Sequence, residues 1–255
     1  MCLLTRITLN SGVLYVNIVG SVNRIFVDKV ISTLVEAYSV LGESPELVEL
    51  YIYESSDIER RALLSEAVEL GISVLGEYPV SHDAWMGWPR VRVNYEECRD
   101  LGEDYLRALL YHEAVHSILH GSIASYVVSI KGLTQLEVVY LASVVVKDIE
   151  VHEYLASRGL LSILSDYFEY TRSSIRDIEC SSLRGLLEVA KLISPCLIMN
   201  CNLAEKDLHS TCRDVYGKLL GILDTVRRVR GDLNFKILEL LERVTSVVNT
   251  KSSVV

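Results

Sequence analysis

The residues best placed to do chemistry are two histidines four apart with a glutamate after the first, His112-Glu113-Ala114-Val115-His116. On a helix the two imidazoles stand one turn apart on one face, so two ring nitrogens can reach one cation. Glu113 is turned roughly 100° away, which suits a general base acting on water held by that cation. Zn2+ matches such donors and brings the pKa of bound water towards about 7. His112 and His116 are therefore candidate metal ligands and Glu113 the candidate catalytic base. A surface helix that happens to carry two histidines would show the same five residues. Here, however, the flanking positions Leu106, Leu109, Leu110, Val115, Ile118 and Leu119 are apolar, and His112, His116, His120 and His152 crowd into a short stretch.

A third ligand is sought on the next helical segment. Placed on a wheel, Leu141, Val144, Val145, Val151 and Leu155 gather within roughly 60° of Asp148, while Ser143, Lys147, Glu150 and Ser157 lie opposite. A carboxylate in mid-stripe costs on the order of several kcal/mol to bury unless a cation or strong hydrogen bonds meet it. Asp148 is thus the candidate third ligand. His152, one turn on, either supports that carboxylate or binds metal itself. Glu150 is the usual residue type for the role but points to the polar side, and it stands as the alternative. His120 continues the histidine stripe but lies about 12 Å along the helix from His112, too far to share one metal. It either lines the cleft or caps the helix before Gly121. A donor for developing oxyanion charge is also required, and Tyr111, Tyr154 and His82 are the candidates.

The pattern His112-Glu113-x-x-His116 with an acidic ligand on a later helix resembles the zincin metallopeptidases of the gluzincin branch, over roughly residues 76 to 158. The resemblance implies a zinc peptidase with a small sheet, whose edge strand precedes the motif helix and binds peptide by strand addition. That role would fall to Arg90 to Tyr95. The segment Asp148-Ile149-Glu150-Val151-His152 is similar to the second motif of the CAAX prenyl protease type, Glu-x-Glu-x-Asp, with Asp148 in the ligand position and His152 in the supporting one. Both positions differ in residue type from that motif, and the membrane spans of that type are absent. The metzincin extension is excluded, because Leu119 and Ser122 stand where it needs Gly and His. A metal-binding homologue that holds peptide or protein partners without cutting them, and a helical protein without metal, are the alternatives.

The elements that must position these groups follow from periodicity and turn residues. Ile7 to Val19 reads as one or two strands broken at Ser11-Gly12, Asn23 to Leu41 as a helix, and Leu47 to Tyr53 as a strand. Asp57 caps a helix reaching Leu70, closed by Gly71. Gly76 to Glu97 is a loop punctuated by Pro79, Gly87 and Pro89, holding both tryptophans and then the strand Arg90 to Tyr95. From Glu103 the chain reads as helical: Glu103 to His120, Thr134 to Ser157, then further helices to about Val248, with Asn249 to Val255 a frayed tail. The expected fold is α+β, with a small N-terminal mixed sheet, a motif helix and an all-helical C-terminal part. The expected domains are 1–158 and 159–255.

The 255 residues carry a net charge of −9 and lack a dense basic cluster, so a nucleic-acid partner is not expected. The run Arg227-Arg228-Val229-Arg230 reads as a solvated helix face. No apolar stretch reaches the roughly 18 residues of a membrane span, which gives the expectation of a soluble, cytoplasmic protein. None of the six cysteines forms a Cys-x-x-Cys pair, which disfavours cysteine-held zinc. The lone Gln135 hints at a thermophile, whose cytosolic proteins can hold disulfides, here among Cys180, Cys196, Cys201 and Cys212.

Overall fold

A computed structural model describes residues 3–70, 78–128, 135–199, 201, 203 and 207–252. The fold is α+β, as expected: a five-stranded mixed sheet followed by helices. The chain divides into two compact units, Met1–Val127 and Val128–Val255. The helix that carries Asp148, grouped at sequence level with the first domain, thereby belongs to the second unit. The expected helix closure at Gly71 and helix start at Thr134 lie outside the described residues.

In the first unit, β1 (Leu3–Thr8) and β2 (Val13–Val19) form an antiparallel hairpin, its turn closed by Leu9 N–H donating to the Gly12 carbonyl at 2.8 Å. Helix α1 (Arg24–Leu41) starts where the Asn23 side chain accepts from Ile25 N–H and stops at Gly42, whose φ of 78° suits a residue without Cβ. The crossover delivers β3 (Leu47–Tyr53) parallel to β2, and α2 (Ser56–Leu70) leads on to β4 (Val80–Asp83) and β5 (Arg90–Asn94). The strand order is β1-β2-β3-β5-β4. Asn94 ends β5 because its side chain caps the short helix α3 (Tyr95–Cys98), so Tyr95 is helical rather than extended.

Strand alternation sorts the side chains onto two faces. Val48, Leu50, Ile52, Val91 and Val93 share one face with His82, which stands opposite Val91, and helix α4 (Glu103–Leu119) packs over β4 and β5. Asp83, Arg90, Arg92 and Asn94 share the other. There Asp83 and Glu66 of α2 hold both arginine side chains, which are only 3% and 6% exposed. Such buried guanidinium groups need paired acids, and β5 is consequently buried along its whole length.

The second unit is helical: α5 (Leu136–Ser157), α6 (Leu161–Ile175), α7 (Leu183–Ile193), a 3-10 turn (Ser194–Leu197), α8 (Ser210–Arg228) and α9 (Leu233–Ser252). Its core gathers Val145, Ile149, Leu187, Ile193, Leu219, Leu223, Ile237 and Leu240. Disulfides join Cys180 to Cys212 and Cys196 to Cys201, using the four cysteines in which the sequence allowed bonds. Arg227 and Arg228 pair with Asp224 at the end of α8. Helix α9 runs to Ser252, so the tail expected from Asn249 is helical over its first four residues. No helix among the described residues is long and apolar enough to cross a membrane.

Candidate metal centre

Helix α4 begins at Gly102 without a side-chain cap, but Glu103 and Asp104 in its first turn offset the positive end of its dipole. It is no surface helix. Ala108 through Ser117 are buried without interruption, including His112 at 3%, Glu113 at 8% and His116 at 8% exposure. A surface helix carrying two idle histidines would expose them, whereas both are buried here. The Nε2 atoms of His112 and His116 face each other at 3.1 Å. Two lone pairs cannot face each other so closely without a proton or a metal ion between them.

His116 is the hub of a wider group. Its Nδ1 lies 3.1 Å from Nδ1 of His120, and its ring stacks on that of His82 with centroids 5.9 Å apart and planes at 11°. His82 Nδ1 in turn lies 2.7 Å from the Tyr126 hydroxyl, and Trp85 packs on the Tyr126 ring at 5.0 Å. His120 is the C-terminal residue of the helix frame, its N–H donating to the His116 carbonyl at 2.7 Å, so it does cap α4. Directly after it the chain passes so close to α4 that a Cβ on Gly121 would sit 2.2 Å from the Ser117 carbonyl oxygen.

Helix α5 is buried on more sides than its amphipathic wheel implies. Asp148 is 2% exposed and His152 0%, but Ser143 and Lys147, expected on the polar side, are also buried at 3% and 5%. The reason is that α6, α7, α9 and the 3-10 turn all pack on α5. Ser194, in that turn, donates its one hydroxyl proton to the Lys191 carbonyl at 2.7 Å and stands 3.2 Å from His152 Nδ1. With that proton given to Lys191, Ser194 Oγ is placed to accept from His152 Nδ1. Glu150 is engaged by Lys236 of α9.

Of the expected ligands, His112, His116 and Asp148 each offer an atom such that all three atoms lie within 4.8 Å of one another. This group is able to hold a metal ion; Glu150 and His152 are not members of it. Of the groups considered for the oxyanion, His82 adjoins the motif histidines. The Tyr111 hydroxyl instead donates to Glu36 at 3.1 Å, and the Tyr154 hydroxyl accepts from Arg158 at 2.9 Å. The strand-addition role assigned to Arg90 to Tyr95 is corrected: β5 is hydrogen-bonded to β3 on one side and β4 on the other, and β4 forms the sheet edge. Tyr126 and Ser194 are contacts that sequence reasoning missed; neither lies in a periodic pattern or a motif. No family model, curated protein or solved structure matches this chain.

Proposed function

We propose that this chain is a zinc-dependent peptidase in which His112, His116 and Asp148 hold the metal and Glu113 is the general base. The observation that carries the reading is the convergence of three buried ligand atoms within 4.8 Å, two of them from a His-Glu-x-x-His helix. The donor set fits zinc: two imidazoles and one carboxylate form a three-ligand catalytic sphere that keeps a fourth position for water. When bound, zinc would supply a Lewis acid and lower the pKa of water towards about 7.

The rest is the work of side chains. Glu113, buried and offset from His112 by about 100° of helix turn, would accept a proton from water at its carboxylate and return it to the leaving amine. His82, stacked on His116, takes the role of polarising the scissile carbonyl oxygen. Asp148 would neutralise part of the metal charge from its buried position on α5. The reading keeps the likeness to gluzincins as its guide to substrate class, a peptide or protein.

Metal content by mass spectrometry, after purification without added metal or a histidine tag, tests the site. About one zinc per chain is expected, and its loss in His112→Ala. Cleavage of a peptide library by wild type but not by Glu113→Gln then tests the reaction. Zinc without cleavage would assign the chain to metal-dependent binding of peptide or protein partners, and no zinc at neutral pH even when it is offered would overturn the reading.

A further inference from the structure

The contact between His116 and His120 deepens this reading and rests on it. A neutral imidazole has one N–H donor and one lone pair. If Nε2 of His116 binds metal, its ring proton must sit on Nδ1. That proton then needs an acceptor, because a buried donor left unmade costs on the order of 1–3 kcal/mol and lets the ring rotate. The atom 3.1 Å from His116 Nδ1 is Nδ1 of His120, a residue only 3% exposed.

The usual partner of a ligand imidazole is a carboxylate, a backbone carbonyl or a water. Here it is a second imidazole one turn further along the same helix. We propose that His120 is the positioning residue of the metal centre: its Nδ1 accepts from His116 Nδ1–H, fixing the tautomer and ring angle that present His116 Nε2 to the metal. His120 itself must then carry its proton on Nε2.

His120 stands one turn beyond His116 and leaves the helix with φ −122° and ψ 21°, while its N–H still donates to the His116 carbonyl. One residue thus ends the helix through its main chain and meets the ligand ring through its side chain. Nε2 of His116 meanwhile faces His112 Nε2 at 3.1 Å, close to the roughly 3.3 Å separating two nitrogens that share a tetrahedral zinc at about 2.0–2.1 Å. One nitrogen of the His116 ring thus faces His112, where a metal would bind, and the other faces His120.

The test compares zinc affinity, by competition with a chromophoric chelator, in wild type, His120→Leu and His120→Asn. The Oδ1 of asparagine occupies the place of Nδ1 along the side chain and can accept the same hydrogen bond, whereas leucine keeps bulk without an acceptor. Leucine is expected to weaken zinc binding about ten- to a hundredfold, and asparagine to stay within a few-fold of wild type. In the zinc-loaded protein with 15N-labelled histidine, a slowly exchanging His116 Nδ1–H signal is expected in wild type and the asparagine variant and absent in the leucine variant. Unimpaired zinc binding by folded His120→Leu, or equal losses in both variants, overturns the role of His120 alone. Failure of wild type to bind zinc overturns the metal reading, and this inference with it.

Discussion

The Tyr38 hydroxyl of α1 lies 2.7 Å from Ser117 Oγ, the side chain directly after His116. Ser117 donates its only hydroxyl proton to the Ala114 carbonyl at 2.6 Å, so Tyr38 is the donor in this pair. Burial pushes the Tyr38 phenol above its ordinary value, and the bond to Ser117 works against that rise. The bond ties the turn carrying His116 to α1. The two ends should respond unequally to substitution. Tyr38→Phe removes a donor and leaves Ser117 bonded to Ala114, costing about 1 kcal/mol; Ser117→Ala strands a buried phenol proton and costs about 1–3 kcal/mol. Equal costs in urea unfolding would contradict this proton assignment.

The two acidic candidates on α5 are separated by their partners. Glu150 is engaged by Lys236, whereas Asp148 is 2% exposed and belongs to the group with His112 and His116. Asp148→Asn is expected to lower zinc affinity at least tenfold, and Glu150→Gln to leave it unchanged within twofold, by equilibrium dialysis. The reverse order would move the third ligand to Glu150.

Asp83 carries both buried arginines of β5, while Glu66, which also meets them, is 29% exposed. Asp83→Ala leaves uncompensated charge in the interior and should cost about 3–5 kcal/mol. Glu66→Ala should cost about 1 kcal/mol, since water reaches its side of the cluster. Chemical denaturation of the two variants decides the order.

The Cys180–Cys212 bridge spans 32 residues of sequence and Cys196–Cys201 spans 5. Loop-closure entropy assigns them about 4 and about 2 kcal/mol. Reductant should therefore lower the melting temperature, and Cys180→Ala with Cys212→Ala should reproduce most of the fall. A protein whose melting is indifferent to reductant would show that these cysteines stay reduced in solution.

Burial is the main cause that pushes the Cys98 thiol up to about 12. The folded state therefore keeps a proton that the unfolded chain releases near 8.5. The stability this contributes is fully present below that value and is lost as pH climbs towards 12. Cys98→Ala should accordingly show a flatter melting profile than wild type between pH 9 and 10, before the tyrosines titrate. Parallel profiles would contradict a protonated thiol in the native interior.

How far the sequence discloses this molecule depends on whether a feature is local. The hairpin break at Ser11-Gly12, the α1 boundaries and the motif helix are set within a few residues and were legible. Asp148 drew notice as an acid in an apolar stripe, and one of its oxygens lies within 4.8 Å of ring nitrogens of His112 and His116. Strand β4 was not legible, since four residues inside a turn-rich loop are too few to display alternation. The burial of Arg90 and Arg92 was invisible for another reason: their pattern is that of a half-solvated strand, and the acids that neutralise them come from elsewhere in the chain. Lys147 and Ser143 were misplaced because a wheel assumes one solvated face, which α5 lacks at those positions. The domain division at 158 followed the extent of a motif, whereas the packing of α5 follows the helices around it.

The unbroken burial of Ala108 to Ser117 has a bearing on how this helix tolerates genetic change. An amphipathic helix accepts substitutions along one stripe, so a saturation library shows tolerance recurring every three or four positions. Helix α4 offers no such stripe, and a library scored on folded yield should show ten consecutive intolerant positions. Selection against misfolding would then hold Ala108 or Val115 as firmly as selection for the proposed chemistry would hold Glu113. Within this helix, constancy of a residue among descendants of the gene would reflect space as much as reactivity.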